Sequence, residues 1–195
     1  KVIQKKINSF FKTKKIDHKL ISDSALNTLA VLKKNKYEAF IVGGAIRDIL
    51  MGSRPKDFDI ATNATPEQVR SIFKKSRIIG RRFKLVHVIY GREIIEVSTF
   101  RAKPLQKIHM SNGVLKDNEY GSIEEDAERR DFTINALYYN VEEKKLIDFY
   151  GGLKDIENQK LRLIGNPKLR YKEDPIRLLR AIRFAAKLKI KIDGE

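Results

Sequence analysis

The stretch that decides the fold is Ile41-Val-Gly-Gly-Ala-Ile-Arg-Asp-Ile-Leu-Met-Gly52, followed directly by Ser53-Arg-Pro-Lys-Asp-Phe-Asp-Ile60. The apolar run over 39–42 predicts a short buried strand. Gly43 and Gly44 predict a tight turn in which a phosphate can approach backbone N–H groups at the start of the next helix. Gly52 stands where a glycine commonly ends a helix, and Pro55 prevents its continuation. The stretch therefore predicts strand, glycine turn, short helix and second strand.

Asp57 and Asp59 are the first candidates for chemistry. In a strand, residues two apart share a face, so both carboxylates project together while Phe58 and Ile60 face the core. At about 6.6 Å between Cα atoms, their repulsion costs about 2.5 kcal/mol at an effective dielectric of 20. A Mg²⁺ held by carboxylate oxygens offsets that cost. For the tripeptide alone, two solvated acids at a strand end are the simpler explanation, but the Gly-Gly-x-x-Arg-Asp pattern upstream favours a metal pair.

A family resemblance follows from these residues. Gly43-Gly-Ala-Ile-Arg-Asp-Ile-Leu-Met-Gly52 with Asp57-Phe-Asp-Ile-Ala-Thr62 resembles the first motif of the class II nucleotidyltransferases. These are the bacterial poly(A) polymerases and CCA-adding enzymes of the DNA polymerase beta superfamily. The resemblance implies that Asp57 and Asp59 bind two catalytic Mg²⁺ ions, for which Mn²⁺ is an alternative. It also implies that the triphosphate of the substrate ATP is held by Gly43, Gly44 and Arg47.

A second block, Arg129-Arg-Asp-Phe-Thr-Ile-Asn-Ala-Leu137, resembles the second motif of the same family. The resemblance implies that phosphates and ribose are contacted by Arg129, Arg130, Asp131 and Asn135. Glu124 aligns with an acidic residue to which the poly(A) polymerases assign a catalytic role, either completing a metal shell or accepting the proton of the attacking 3′-hydroxyl. The same acids and arginines could instead form a solvated helix with ion pairs Glu125–Arg129 and Asp126–Arg130.

Two blocks near the C-terminal end of the sequence extend the resemblance. Asp148-Phe-Tyr-Gly-Gly152 resembles the family's junction between the catalytic head and the next domain. The spacing of Glu173, Asp174, Arg177 and Arg180 matches the motif Glu-Asp-x-x-Arg-x-x-Arg, which implies recognition of the nucleotide base. Physical alternatives exist: Asp174 before Pro175 is a complete helix N-cap, and arginines at helical spacing commonly form a solvated face. We favour the functional interpretation, with Asp174 serving both roles.

The segment between the first two blocks predicts strands. Residues 77–88 predict one strand with a glycine kink, and Gly91-Arg92 predicts a turn into a strand over 93–100, so the sheet is mixed rather than all-parallel. In this segment Ile78-Ile-Gly-Arg-Arg-Phe-Lys-Leu-Val-His-Val88 resembles the poly(A) polymerases more than the CCA-adding enzymes. Arg81 and Arg82 are candidates for nucleotide binding, and two solvated arginines are an equally good explanation. Glu96 is a candidate third carboxylate, although simple surface exposure also explains it.

Composition narrows the class of protein. The 195 residues contain no cysteine, which excludes disulfides and cysteine-based zinc sites, and no apolar run reaches membrane-spanning length. The net charge is +16, with seven lysines against one acid over 1–20, eleven basic against four acidic residues over 160–195, and +3 between them. Basic ends around a balanced centre suit a polyanionic partner such as RNA, or are solubilising tails. Residues 101–123 predict a long polar loop.

Together, these patterns predict an α/β nucleotidyltransferase head with a small mixed sheet and flanking helices, followed by the start of an all-α neck. The expected organisation is a basic arm and helix over 1–37, a head over 38–150, and a truncated neck over 151–195. The resemblance implies template-independent addition of AMP to RNA 3′ ends by a cytoplasmic and monomeric protein, with RNA-decay proteins as candidate partners. A CCA-adding enzyme is the first alternative, and a non-catalytic basic RNA-binding protein is the second.

Overall fold

The computed structural model describes residues 11–12, 16–81, 83–102, 110–111, 114–115 and 120–193. Its α-helices are α1 (Asp23–Lys34), α2 (Gly44–Leu50), α3 (Pro66–Ile72), α4 (Ile123–Arg129), α5 (Gly152–Glu157), α6 (Pro167–Glu173) and α7 (Ile176–Leu188). Its strands are β1 (Phe11–Lys12), β2 (Ala39–Val42), β3 (Asp59–Thr62), β4 (Ser76–Ile79), β5 (Leu85–Tyr90), β6 (Glu93–Thr99), β7 (Met110–Ser111), β8 (Val114–Leu115), β9 (Leu137–Asn140), β10 (Lys145–Asp148), β11 (Lys160–Leu161) and β12 (Lys191–Ile192). None of these helices is long and apolar enough to cross a bilayer.

Eight of the described strands form one mixed sheet in the order β1-β10-β9-β2-β3-β6-β5-β4. Its neighbouring strands are antiparallel except β3 and β6, which are parallel and are joined through α3 and the β4–β5 pair. The predicted mixed α/β head is therefore confirmed. Two smaller ladders, β7–β8 and β11–β12, lie outside the main sheet.

The two faces of the sheet bury different cores. Alternation along the strands sends Ile41 and Ile60 into the larger core and Phe40 and Ala61 into the smaller one. The smaller core also holds Ala127 of α4, so this helix covers only part of its face. The rest of that face is open, and it carries the candidate site.

Local signals set most helix boundaries as the sequence predicts. Thr65 caps α3 in a reciprocal capping box with Gln68, and Pro66 occupies its first turn. Gly52 follows α2 with φ +76°, a left-handed conformation that glycine adopts without strain. Ser22 caps α1, and its hydroxyl oxygen accepts a hydrogen bond from the Ala25 N–H at 3.2 Å.

Three predictions about elements are wrong in detail. The single strand over 77–88 is two antiparallel strands, because Gly80 has φ +91° and reverses the chain before Leu85 pairs with Ile79. The loop over 101–123 contains the short β7–β8 pair and the start of α4. Asp174 ends α6 rather than capping α7, whose N-cap is Pro175, although the Asp174 carboxylate still accepts a hydrogen bond from the Ile176 N–H at 3.1 Å.

Asp148 lies at the predicted junction between the head and the next domain, and its carboxylate binds the backbone there. Its Oδ1 accepts hydrogen bonds from the N–H groups of Tyr150, Gly151 and Gly152 at 3.2, 2.8 and 2.9 Å. Its Oδ2 accepts a fourth from Leu153 at 2.9 Å. One buried carboxylate thus satisfies the N–H groups at the start of α5, which otherwise have no partner in the helix.

We therefore expect Asp148→Asn to lower the free energy of unfolding by about 1–3 kcal/mol, because the new amide donor faces the Leu153 N–H and the charge that strengthens all four bonds is lost. Urea unfolding measures the change. Asp17→Asn is the matched control, since Asp17 accepts one exposed hydrogen bond from Lys19, and it should change stability by less than about 0.5 kcal/mol. Equal effects of the two substitutions would contradict the anchoring role.

Candidate active site

An open cavity of about 600 Å³ lies on the uncovered part of the smaller-core face, between the start of α2, the α4–β9 segment and α7. Eleven residues predicted from the sequence line it: Gly43, Gly44, Arg47, Asp59, Arg129, Arg130, Asp131, Asn135, Asp174, Arg177 and Arg180. Three lining residues were not predicted: Phe83, Arg101 and Phe184. The fold therefore brings residues from four separate sequence blocks to one place.

Acidic side chains form one side of the site. Asp59 begins β3 and lies in register with Glu96 of β6, whose carboxylate is 3.3 Å from His87 Nε2 on β5. Desolvation raises the pKa of Asp59 to about 6; Glu96 raises it further, Arg130 opposes the shift, and Asp57 adds the smallest contribution. The carboxylate side of the cavity is thus short of positive charge.

Gly43 brings the backbone close to these acids. Its φ of +76° and ψ of −128° lie outside the regions that side chains tolerate, and a Cβ there would lie 4.0 Å from Asp59 Oδ2 and 3.7 Å from Arg130 Nη1. The glycine turn therefore separates the carboxylate side from the arginine side by little more than one backbone. The tight turn before α2 that the Gly-Gly pattern predicted is confirmed, and its role in binding phosphate stays a prediction.

Arginines form the opposite side, and a single acid organises them. Asp126 is 1% exposed, and its Oδ1 accepts hydrogen bonds from Arg129 Nε and Nη2 at 3.0 and 2.6 Å. Its Oδ2 accepts from Arg130 Nε and Nη2 at 3.2 and 3.1 Å and from the Tyr138 hydroxyl at 2.6 Å. Burial alone would raise the pKa of Asp126, but Arg130, Arg129 and Tyr138 outweigh it and hold the pKa below its ordinary value.

Asp126 corrects the solvated-helix alternative. The pair Asp126–Arg130 exists, but it is buried, and the expected Glu125–Arg129 pair is replaced by Asp126–Arg129. Glu125 instead completes a capping box with Ser122 at the start of α4. The sequence does not distinguish Asp126 from the other three acids of α4. Only packing against the sheet makes one face of this helix buried and the other exposed.

Beneath the cavity, Arg47 orients the second motif. Its guanidinium is nearly buried, donates to Asn135 Oδ1 at 2.6 Å and to Asp48 Oδ1 at 2.7 and 2.9 Å, and lies 5.3 Å from the centre of the Phe184 ring. Asp131, four residues before Asn135, forms an ion pair with Arg180 at 2.6 Å. Arg47 and Arg180 are thus engaged by protein groups as well as facing the cavity.

The third wall comes from α6 and α7. Arg170 donates from Nη2 to the carbonyls of Arg129 and Arg130, both at 2.8 Å, and so ties α6 to the end of α4. Arg177 donates to the Arg170 carbonyl at 2.7 Å, and both arginines pair with Glu173 at 3.2 Å. Asp174 and Arg177 face the cavity from this wall, opposite the glycine turn.

Several predicted site residues do not line the cavity. Glu124 and Arg81 are exposed, Glu173 is occupied by its two arginines, and Asp57 lies just before β3 with an exposed side chain. Arg82 lies outside the described residues. The catalytic and binding roles of all these residues stay predictions.

Little in the sequence indicated the three unpredicted lining residues. Arg101 and Phe83 lie beyond strand ends and meet only in the folded sheet, so neither has a local pattern. Phe184 does have a local pattern, because it lies four residues after Arg180 and therefore on the same side of α7 as that predicted residue.

Comparison with known proteins identifies the arrangement. Residues 39–162 match the family described as poly A polymerase head domain. The chain belongs to the poly(A) polymerase head family. It is 53% identical over 188 residues to poly(A) polymerase I of Escherichia coli O6:H1, covering 92% of this chain and 40% of that protein. It is 40% identical over 169 residues to a CCA-adding enzyme of Bacillus licheniformis, covering 86% of this chain and 42% of that protein.

A solved structure shares the fold of this poly(A) polymerase head. The Bacillus stearothermophilus CCA-adding enzyme in complex with CTP superposes with a TM-score of 0.77 at 36% identity, covering 87% of this chain and 40% of the other. The resemblance to class II nucleotidyltransferases is thus confirmed for fold and family. The chain spans about two fifths of the length of the curated relatives it matches.

Removing the charge of Asp126 should destabilise the head. We expect Asp126→Asn to lower the free energy of unfolding by about 3 kcal/mol, at the lower end for a broken buried ion pair because Arg129 and Arg130 keep some contact with water. Glu125→Gln keeps a side chain able to close the capping box and should cost less than about 0.5 kcal/mol. A loss as small for Asp126→Asn would show that the buried carboxylate does not hold the arginines.

The same carboxylate makes stability depend on acid pH. Because the folded pKa of Asp126 is lowered, its contribution is complete above the unfolded value of about 3.9 and disappears as pH falls from there through the folded pKa. The difference in unfolding free energy between the native protein and Asp126→Asn should therefore be constant from about pH 5 to 7 and shrink below about pH 4. Urea unfolding across that range measures it, and a difference that grows in acid would contradict the assignment.

Proposed function

We propose that this chain is the catalytic head of a template-independent polynucleotide adenylyltransferase, which transfers AMP from ATP to the 3′-hydroxyl of RNA and releases pyrophosphate. The main support is a single observation: one cavity joins Asp59 and the glycine turn to the two arginines that follow α4 and to the acid–arginine wall of α7. The 53% identity to poly(A) polymerase I supports the adenylate-specific form of the reaction. Such activity belongs to polyadenylation in RNA processing and decay.

In this proposal the arginines bind the triphosphate. Arg129 and Arg130 are fixed by Asp126, so their free N–H donors face the cavity without needing to be ordered when ATP binds. The N–H groups of the Gly43–Gly44 turn approach the same phosphates from the other side. Two sides of fixed donors hold the α-phosphate where the 3′-oxygen can attack it in line with the departing pyrophosphate.

The carboxylates fit Mg²⁺. Within the described chain, no three acidic or histidine side chains lie close enough to hold an ion by themselves. Mg²⁺ commonly takes one or two carboxylates and completes its shell with water and substrate phosphates, so Asp59 and Asp57, with Glu96 as a further candidate, would suffice. The raised pKa of Asp59 shows a carboxylate poorly compensated by the protein, as expected of a ligand that awaits a cation. Bound Mg²⁺ would acidify the 3′-hydroxyl and neutralise charge on the phosphoryl group.

The remaining lining residues suit the nucleoside. Asn135 and Asp131 lie beside the phosphate-binding arginines, where hydroxyls of the ribose would follow the α-phosphate. Asp174 offers acceptors and Arg177 offers fixed donors, a pair that can match one base edge. We assign the head to 38–150 and the base-reading start of the neck to 151–195. The full-length protein would add further RNA-binding surface, and it would act as a cytoplasmic monomer.

The nearest rival function is that of a tRNA CCA-adding nucleotidyltransferase. It is favoured by the shared fold with the CTP complex of such an enzyme and by 40% identity to a second one. A basic RNA-binding protein without catalysis leaves the acidic side of the cavity unexplained.

Substrate choice separates these functions. The full-length protein is given Mg²⁺ with either a generic RNA oligonucleotide or a tRNA lacking its terminal CCA, and with ATP, CTP or both. We expect long products on the oligonucleotide with ATP alone. Addition that needs CTP and stops after three nucleotides on the tRNA would establish the rival enzyme. RNA binding without any addition would favour the non-catalytic protein.

Asp57→Asn and Asp59→Asn should each reduce nucleotide transfer by about 10³-fold or more, since each removes a charge that the metal ions require. Asp57 is exposed, so Asp57→Asn should change the free energy of unfolding by less than about 0.5 kcal/mol. Asp59→Asn should instead stabilise the metal-free protein at neutral pH, because the raised pKa of Asp59 means that folding disfavours its charged form. Primer extension measures nucleotide transfer and urea unfolding measures stability, with Asp17→Asn as a control distant in sequence. Retained turnover in either variant would remove that residue from the metal site.

A further inference from the structure

Arg101 is the cavity residue for which the proposed reaction has no role yet. It follows β6, and its backbone is fixed from two sides: its N–H donates to Asp126 Oδ1 at 3.3 Å, and it forms an antiparallel bridge with Tyr120. Its guanidinium carbon lies 4.8 Å from the centre of the Phe83 ring, and both side chains line the cavity. The side chain is therefore held in position by the protein.

Within the described part of the chain, the positive charge of Arg101 has no carboxylate of its own. Asp126 is the carboxylate that acts on it, but both Asp126 oxygens are already occupied by Arg129, Arg130 and Tyr138. Among the described residues no carboxylate forms an ion pair with the Arg101 guanidinium. Burial, followed by the neighbouring Arg129, lowers the pKa of Arg101. Among the described residues, Arg101, Arg129 and Arg130 thus share the single carboxylate of Asp126 at this end of the cavity.

We propose that Arg101, positioned by Phe83, binds a phosphate group of a nucleotide substrate in this cavity. The inference rests on the proposed function and adds a residue to it. A guanidinium stacked on a ring keeps its planar donors fixed, and these donors match two phosphate oxygens. The phosphate belongs either to the triphosphate of ATP or to the backbone of the RNA strand, which share this chemistry.

Phe83 acts through Arg101. Phe83 is 44% exposed, and its ring lies against the Arg101 guanidinium at the wall of the cavity. A tyrosine would keep the ring and should keep the function, whereas a leucine would keep only apolar bulk.

The test uses the full-length protein and four single substitutions: Arg101→Gln, Arg101→Lys, Phe83→Leu and Phe83→Tyr. Arg92→Gln is the matched control, because Arg92 is an exposed arginine in the β5–β6 turn that does not line the cavity. Equilibrium binding of ATP and of a single-stranded RNA oligonucleotide is measured separately from turnover. RNA binding is measured over a range of salt concentrations. Thermal unfolding of each variant verifies the fold.

Arg101→Gln should lower the binding affinity for one of the two substrates by about 10-fold or more, as expected for a lost charge-assisted contact. If the phosphate belongs to RNA, the slope of log K against log salt should also fall by about 0.7, the value for one phosphate on a single strand. If it belongs to ATP, only ATP binding should weaken. Arg101→Lys and Phe83→Leu should show part of the loss, and Phe83→Tyr should behave as the native protein.

The outcomes separate this inference from the proposed function. Arg101→Gln and Arg101→Lys that bind both substrates as well as Arg92→Gln does would overturn it, and would reduce the stacking to a contact that holds the chain after β6. A native protein that binds ATP and RNA but adds no nucleotide would overturn the proposed function while leaving the role of Arg101 measurable. If Arg101→Gln fails to fold, Arg101→Lys carries the same comparison.

Discussion

The structure of the site depends on one buried carboxylate. Asp126 accepts hydrogen bonds from two arginine side chains, one tyrosine hydroxyl and the Arg101 backbone, and so joins α4, β9 and the chain after β6. A buried ion pair contributes little net stability compared with apolar packing of the same volume, but breaking one leaves uncompensated charge. Its value here is geometric, because it fixes the direction of Arg129 and Arg130 before any substrate arrives.

The sheet register supplies the opposite charge. Because β3 and β6 are parallel neighbours, Asp59 and Glu96 lie side by side on the face that α4 leaves open. Burial raises the pKa of Asp59 most, and repulsion from Glu96 adds to that effect. The acids and the arginines would neutralise each other's charge if they formed ion pairs, but the backbone of Gly43 lies between Asp59 and Arg130. The separation suits a ligand that carries both phosphate and metal.

The sequence predicted what short-range physics controls. Gly43 and Gly52 each follow from a turn or helix end that depends on near neighbours, and the order of the blocks predicted the fold class. It failed where the answer depends on contacts between distant segments. Asp126 looks like its three acidic neighbours until β9 supplies Tyr138, and Arg101 has no pattern until the β4–β5 turn brings Phe83 to it.

The α6–α7 wall is joined by hydrogen bonds and an ion pair to the segment that carries Arg129 and Arg130. Arg170 donates to the carbonyls of Arg129 and Arg130, and Arg180 pairs with Asp131, which directly follows them. The wall that would read the base is therefore fastened to the backbone that carries the phosphate contacts. A base that does not fit Asp174 and Arg177 would displace α6 and α7, and those hydrogen bonds would pass the displacement to the arginines. In the proposed reaction, nucleotide choice and phosphate positioning would then be coupled through the protein, without contact between the base and the reacting phosphate.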